Sequence, residues 1–378
     1  MKFRIARSAL VDAVSQVSKA VSTRTTIPIL TGIKVTADEE GILFTGSNAD
    51  LTIQVQVPLR EEDKEIVVLE RMGNTVLPGR IIGELVRKLP EDEVEWEVDE
   101  RRVATIRSGQ AQFQLNAMDP EEYPRLPELV EDRKFSLPAD LLQTMIRQTV
   151  FAVSTSEARG VLMGVLWQLE GGKLRLVATD SHRLSRREAE VEAPDDLTLT
   201  NVIVPGKSLS EVGKILADRS GWVDIVVSDN QLLIKTTHLQ FLTRLLSGNY
   251  PDTDRVIPKG GKTELVLSTK ELLESVDRAS LISRDGRDNV IKWVVSDDGR
   301  VEVSSAAQDV GSVTEEVVAR VSGEPMSISF NARYMIEALR AVDSDEIRIL
   351  LTGPMTPFSI RPADNDDSLH LIVPIRTR

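Results

Sequence analysis

The 378-residue chain has no cysteine, three histidines and only 4 % aromatic residues. The first absence excludes disulfides, thiolate metal sites and cysteine nucleophiles. His182, His238 and His370 are scattered, without HExxH or other paired-ligand spacing, so no metal and no cofactor is expected. The aromatics are too few for a base-stacking platform. Nowhere do about 18 apolar residues run without a charge. The opening MKFRIARSAL interrupts its apolar residues with Arg4, Arg7 and Ser8, so neither a membrane span nor a signal peptide is expected, and the protein reads as cytoplasmic. Positive charge is short as well: 46 Lys and Arg face 59 Asp and Glu, a formal net charge of −13. That balance opposes a simple nucleic-acid binder, because such proteins usually carry excess cations to neutralise phosphates. Apolar residues, at 41 %, suffice for a proper core, and the length allows two to four domains at roughly 100–200 residues each.

An internal repeat is the most informative feature present. Phe3-x-Ile5 followed by Leu10, Val14, Val17 and Val21 returns as Phe135-x-Leu137 with Leu142, Ile146, Thr149 and Val153, and again as Leu265-x-Leu267 with Leu272, Val276 and Ala279. Each copy reads as a short strand feeding an amphipathic helix. Ser8 and Asp140 stand where side-chain caps are expected. A second strand–helix element follows in each third: VLPGR from Val76, VIVPGK from Val202 and ISFNAR from Ile328. Alternating strands come after every helix. The pattern predicts an α+β fold of three repeated domains, each made of two β-α-β-β-β halves. Pro-rich, acidic connectors at Asp119–Leu129 and Asn249–Lys262 separate domains at 1–125, 130–255 and 262–378.

The second helices carry cation, acid and cation at i, i+4 and i+7: Arg80, Glu84, Arg87; Lys207, Glu211, Lys214; Arg333, Glu337, Arg340. These positions share one helix face. A single such helix is an ordinary solvated face with an ion pair; recurrence in phase in three diverged copies points to a basic face. Arg24, Lys88, Arg147, Lys270 and Arg278 add charge on or beside the helices. Such a face suits phosphate recognition without base readout. VIVPGKS resembles a phosphate loop, but Asn201 stands where the motif needs glycine and Pro205 removes an amide donor. No catalytic residue is assigned. Thr179-Asp-Ser-His-Arg183-Leu184 has no counterpart in Asn48-Ala-Asp50 or Ala306-Ala-Gln308, which marks copy two as the holder of a special site.

The whole chain resembles the bacterial DNA polymerase III β subunit family, the sliding clamps, Gram-positive type. The resemblance rests on KAVSTRTTIPILTGI from Lys19, IRSGQAQFQLNAMDPEEYPRLP from Ile106, IRQTVFAVSTSEAR from Ile146, ATDSHRL from Ala178, VIVPGKSL from Val202, GNYPDTDRVIP from Gly248 and LIVPIR from Leu371. It implies the DNA-clamp fold, closed by a head-to-tail homodimer into a six-domain ring that encircles duplex DNA. Twelve helices at ~10 Å spacing leave a hole of ~27 Å and six leave only ~8 Å, against a duplex about 20 Å wide. The implied role is a non-enzymatic processivity factor. It tethers the replicative DNA polymerase alpha-type subunit, clamp loader subunits and other clamp-motif proteins to double-stranded DNA without sequence preference. Positions implied to face DNA are Arg24, Arg80, Arg87, Lys207, Lys214, Arg333 and Arg340. A peptide pocket is implied at Arg159, Leu162, Thr179, His182, Arg183, Leu184, Pro251, Arg255, Val256, Leu371, Ile372, Val373, Pro374, Ile375 and Arg376. Ser181 stands where Gly is common there, Val373 and Ile375 where Met is common, and Thr377-Arg378 extends the tail. The subunit contact is implied at Phe113, Leu115, Leu281 and Ile282. Two alternatives are a peptide-binding repeat scaffold that does not encircle DNA, and a nucleotide-using enzyme at the VPGKS turn.

Overall fold

The computed structural model describes residues 1–22, 25–126, 129–217, 219–283 and 289–377. Among the described residues the β-α-β-β-β pattern expected from the repeat occurs six times. In the first third, Lys2–Ala6 leads into α1 (Arg7–Val17) and the strands Gly32–Asp38, Gly41–Ser47 and Leu51–Pro58. Gly73–Pro78 then leads into α2 (Gly79–Leu85) and Glu93–Val98, Val103–Ser108 and Ala111–Asn116. The same order recurs around α3 (Ala139–Arg147), α4 (Gly206–Leu216), α5 (Thr269–Ser283) and α6 (Ala332–Ala341).

The helices start differently from the expectation. Ser8 lies inside α1, whose N-cap is Ala6 with no side-chain bond, and Asp140 sits in the first turn of α3, bonded to its neighbour's amide at 2.9 Å. The first helical amide is satisfied instead by a carbonyl from the turn before a later strand: Arg7 N–H to Asp92 O at 2.8 Å, Ala139 N–H to Gly221 O at 2.8 Å, and Thr269 N–H to Asp345 O at 2.9 Å. A helix amide needs an acceptor, and tertiary structure supplies it where a side chain would otherwise do so. Glycine at the Pro-Gly turns has a packing cause. A Cβ on Gly206 would meet Val153 Cγ2 at 2.9 Å and the Met163 carbonyl at 3.0 Å, and one on Gly79 would meet Thr31 O at 2.9 Å. The strand end thus runs directly into a helix over a close backbone neighbour, which accounts for the resemblance to a phosphate loop.

The chain divides into two compact units, residues 1–139 with 215–245 and residues 140–214 with 246–378. Unit 1 has a five-stranded and an eight-stranded antiparallel sheet. The larger one is continuous between repeat copies, because Leu51–Pro58 pairs with Leu239–Arg244 in the register Ile53 to Phe241 and Val55 to Leu239. Unit 2 holds a nine-stranded and a four-stranded sheet, with Arg183–Glu190 paired to Ser368–Ile372 so that Ser185 faces His370. Two alternating strands with free edges complete each other's hydrogen bonds in this way. Buried aromatics anchor the cores: Phe3 stacks on Trp96 with centroids 5.7 Å apart in unit 1, and Trp293 meets Phe330 edge-on at 4.6 Å in unit 2.

Candidate functional site

The repeated cations lie opposite the apolar helix faces. In α6, Ala332, Met335, Ile336, Ala338 and Leu339 are buried, whereas Arg333 and Arg340 are exposed. Arg80, Arg87, Lys207 and Lys214 are exposed too. Arg87 falls in the 3-10 turn Val86–Lys88 that continues α2. Arg80 pairs with Glu84 at 3.5 Å and Arg333 with Glu337 at 2.9 Å, but in α4 it is Lys214 that takes Glu211, at 2.7 Å. Lys207 and Arg87 have no carboxylate partner among the described residues. Exposed pairs of this kind are worth little and leave the cations available. Arg24 lies outside the described residues. Two of the flanking cations are held more firmly: Arg147 by Asp343 and two backbone carbonyls, and Arg278 by both oxygens of Glu315 at 2.7 and 2.9 Å. These two add less to the basic face than their positions suggest, whereas Lys270, 4.0 Å from Glu274, stays as available as the repeated cations.

The Thr179–Leu184 turn is heavily bonded. Asp180 Oδ1 accepts the amides of His182 and Arg183 at 2.9 and 3.0 Å, and Thr179 Oγ1 accepts that of Ser181 at 3.1 Å. Ser181 has φ 76°, a left-handed conformation that glycine adopts more readily. A cavity of about 250 Å³ opens beside the turn, lined by Leu162, Thr179, Arg183, Leu184, Pro251, Val256, Leu371 and Val373 from the expected set. Ser181, Asp252, Thr253 and Pro357 complete the lining. Asp252 and Thr253 lie between two expected residues, whereas Pro357 arrives through a strand pairing, Phe358 to Ile372, that carries no local signal.

The other expected residues do not line this cavity. Ile372 is 1 % exposed and turns into the core, since side chains alternate along a strand and its neighbours Leu371 and Val373 face the cavity. Arg159 bonds Ser181 Oγ at 2.9 Å, and Arg255 pairs with Asp252 at 2.7 Å. His182 is exposed. Pro374, Ile375 and Arg376 continue past it, Ile375 N–H bonding Ser329 O at 2.7 Å.

Arg183 is buried, with 7 % of its side chain exposed. Nε meets Asp180 Oδ2 at 3.1 Å, Nη1 meets Glu337 and Nη2 meets the Phe151 carbonyl. The guanidinium lies 4.6 Å from the Tyr334 ring centroid. Burial pushes the Glu337 carboxyl up, but hydrogen bonds from Arg183 and Arg333, with their charges, outweigh it and hold the carboxyl below the ordinary value. Glu337 therefore joins the pocket turn to the exposed cation of α6.

Two sheet edges are also exposed. Phe113, 38 % exposed, and half-buried Leu115 stand on Ala111–Asn116, the outer strand of the five-stranded sheet. Leu281, 59 % exposed, and half-buried Ile282 end α5 in unit 2, where Gly311–Val318 is the outer strand of the four-stranded sheet.

Family models of the DNA polymerase III beta subunit match residues 1–127 (N-terminal domain), 136–252 (central domain) and 254–376 (C-terminal domain). The chain belongs to the DNA polymerase III beta subunit family. Among its relatives, the beta sliding clamp of Bacillus subtilis (strain 168) is 48 % identical over the full length of both chains, and that of Halalkalibacterium halodurans is 49 % identical with the same coverage. The crystal structure of the Bacillus subtilis DNA polymerase sliding clamp superposes with a TM-score of 0.96 over all of both chains, at 48 % identity. A Pseudomonas aeruginosa sliding clamp bound to griselimycin, 27 % identical, gives 0.93 over all of both chains. The function of this beta subunit is that of a DNA sliding clamp, a processivity factor and not a catalyst. That removes the nucleotide-using alternative at the VPGKS turn. Among the described residues, no helix is long and apolar enough to cross a membrane, and no group of three or more His, Asp or Glu could hold a metal ion.

Proposed function

We propose that two copies, each of three domains at 1–125, 130–255 and 262–378, join head to tail into a ring around duplex DNA in the cytoplasm. Arg80, Arg87, Lys207, Lys214, Arg333 and Arg340 face the duplex, together with Arg24. The observation that carries this reading is the recurrence of exposed, in-phase cations on α2, α4 and α6 of a chain whose net charge is −13. An acidic exterior repels DNA everywhere except where these cations stand, and exposed cations in water bind phosphate loosely enough to permit sliding. Ala111–Asn116 with Phe113 and Leu115 of one copy meets the Leu281 and Ile282 region of the other. The cavity beside Thr179–Leu184 takes the apolar anchors of short linear peptides from the polymerase, loader and repair proteins, in the manner of other peptide grooves.

Retention on DNA tests encirclement. After loading by its clamp loader, the protein stays on a nicked circle and leaves within seconds once the circle is cut; equal retention on both overturns the ring. Reversal of Lys207 and Lys214 to Glu lowers retention on the circle, and no change would favour a peptide scaffold that never holds DNA.

A further inference from the structure

Unit 1 contains a turn built like the pocket turn of unit 2. Asn48 Oδ1 accepts the amides of Asp50 and Leu51 at 3.0 and 2.8 Å, and Ser47 Oγ accepts that of Ala49 at 3.2 Å. These are the bonds that Asp180 and Thr179 make one repeat later. Ala49 and Ser181 have the same φ, 76°. Each turn also offers a carbonyl to a strand from the next repeat copy or its continuation: Arg244 N–H bonds Asp50 O at 2.9 Å, and Val373 N–H bonds His182 O at 2.9 Å. A non-glycine residue held left-handed is a strained position, and such positions cluster at ligand clamps.

Beside the unit 1 turn lies a cavity of about 240 Å³, close to the 250 Å³ of the unit 2 pocket. Its apolar lining includes Leu30 and Leu242, at the places of Leu162 and Leu371, together with Leu126. Its charged residues differ. Arg125 and Arg244 line the cavity, both exposed and neither with a carboxylate partner among the described residues. The equivalent of Arg244 in unit 2 is Val373, and the unit 2 arginine, Arg183, is buried and paired. One carboxylate, Asp50, shares the unit 1 cavity. An apolar floor beneath two uncommitted guanidiniums is complementary to a bulky apolar side chain flanked by carboxylates.

We propose that this unit 1 cavity is a second docking site for a short acidic peptide, its aliphatic or aromatic anchor seated on Leu30, Leu126 and Leu242 and its carboxylates on Arg125 and Arg244. The shape argument rests on reading the unit 2 pocket as a peptide site, whereas the choice of an acidic occupant rests on the unit 1 arginines.

The test is a calorimetric titration of the full-length protein with the peptide Asp-Leu-Asp-Phe-Asp. Two peptides bind each chain. Arg125→Glu with Arg244→Glu removes one of them by weakening it at least tenfold, Ile27→Ser at the exposed mouth weakens the same site, and Val373→Asp removes the other. A single site that survives Val373→Asp and is lost in the arginine variant supports the unit 1 proposal and overturns the unit 2 reading. A single site lost in Val373→Asp and untouched by the arginine variant overturns the proposal and leaves the unit 2 reading standing. Absence of binding at millimolar peptide overturns both. Displacement of the unit 1 peptide by an equal concentration of DNA oligonucleotide assigns the two arginines to phosphate and likewise overturns the proposal.

Discussion

Replacing Arg183 by alanine separates a structural arginine from a ligand-contacting one. In the native protein its guanidinium satisfies Asp180, Glu337 and the Phe151 carbonyl and packs on Tyr334. Removing one partner of a buried ion pair typically costs about 3–5 kcal/mol, because the other charge is left desolvated. Glu337 keeps Arg333 at 2.9 Å and has 26 % of its side chain exposed, so the lower end applies, about 3 kcal/mol. Arg183→Lys restores one charge but neither the fork nor the stacking, and should recover less than half of that. Urea unfolding followed together with hydrogen exchange at residues 179–184 reads both effects: unit 2 becomes less stable and the turn loses protection. Peptide affinity then falls as a consequence of the lost turn. The reasoning is refuted if Arg183→Ala changes unfolding by less than about 0.5 kcal/mol, the range of an ordinary surface substitution, while peptide affinity drops tenfold, since the guanidinium would then face the ligand.

Acid should weaken unit 2 through His370. It is 1 % exposed, its Nδ1 lies 2.9 Å from Ser185 Oγ and its Nε2 has no partner among the described residues; burial pushes the imidazole from 6.5 down to about 4. The unfolded chain takes up a proton below about pH 6.5 and the folded chain does not until about pH 4. Stability is therefore full above that window and falls by up to about 3 kcal/mol as pH drops through it; identical acid slopes for the native protein and His370→Gln would exclude this source. Gly206→Val should lower the melting temperature, because overpacking against Val153 and the Met163 carbonyl costs about 1–3 kcal/mol, with nucleotide playing no part. Phe113→Asp or Leu281→Asp should shift sedimentation from dimer to monomer without loss of secondary structure, and an unchanged dimer would place the contact elsewhere.

Much of this architecture was legible in the chain because the repeat exposes it. Apolar residues at helical spacing after Phe3, Phe135 and Leu265 identify helices that do occupy those places, and in-phase cations identify a face that is exposed in all three copies. What local pattern does not carry is the partner across a long loop. Arg147 read as a free cation, yet Asp343 neutralises it from 196 residues away. Arg183 read as a pocket contact and does line the cavity, but no local pattern showed that Glu337 of α6, 154 residues away, also holds its guanidinium. Ser181 read as a departure from glycine, and its φ of 76° gives that departure a physical cost. Alternation along the last strand was the usable signal that Ile372 would turn away from Leu371 and Val373.

The order in which the polypeptide visits its two compact units bears on synthesis. Residues 1–139 belong to unit 1, but its large sheet closes only with Leu239–Arg244. During translation, the edge of Leu51–Pro58 must wait for roughly half the chain that follows it, at about 5–20 residues per second. An unpaired, largely buried-type strand edge is a template for pairing with another nascent chain. The strand Arg183–Glu190, which awaits Ser368–Ile372, is in the same position, so each repeat edge needs protection on the ribosome until its partner strand has been made.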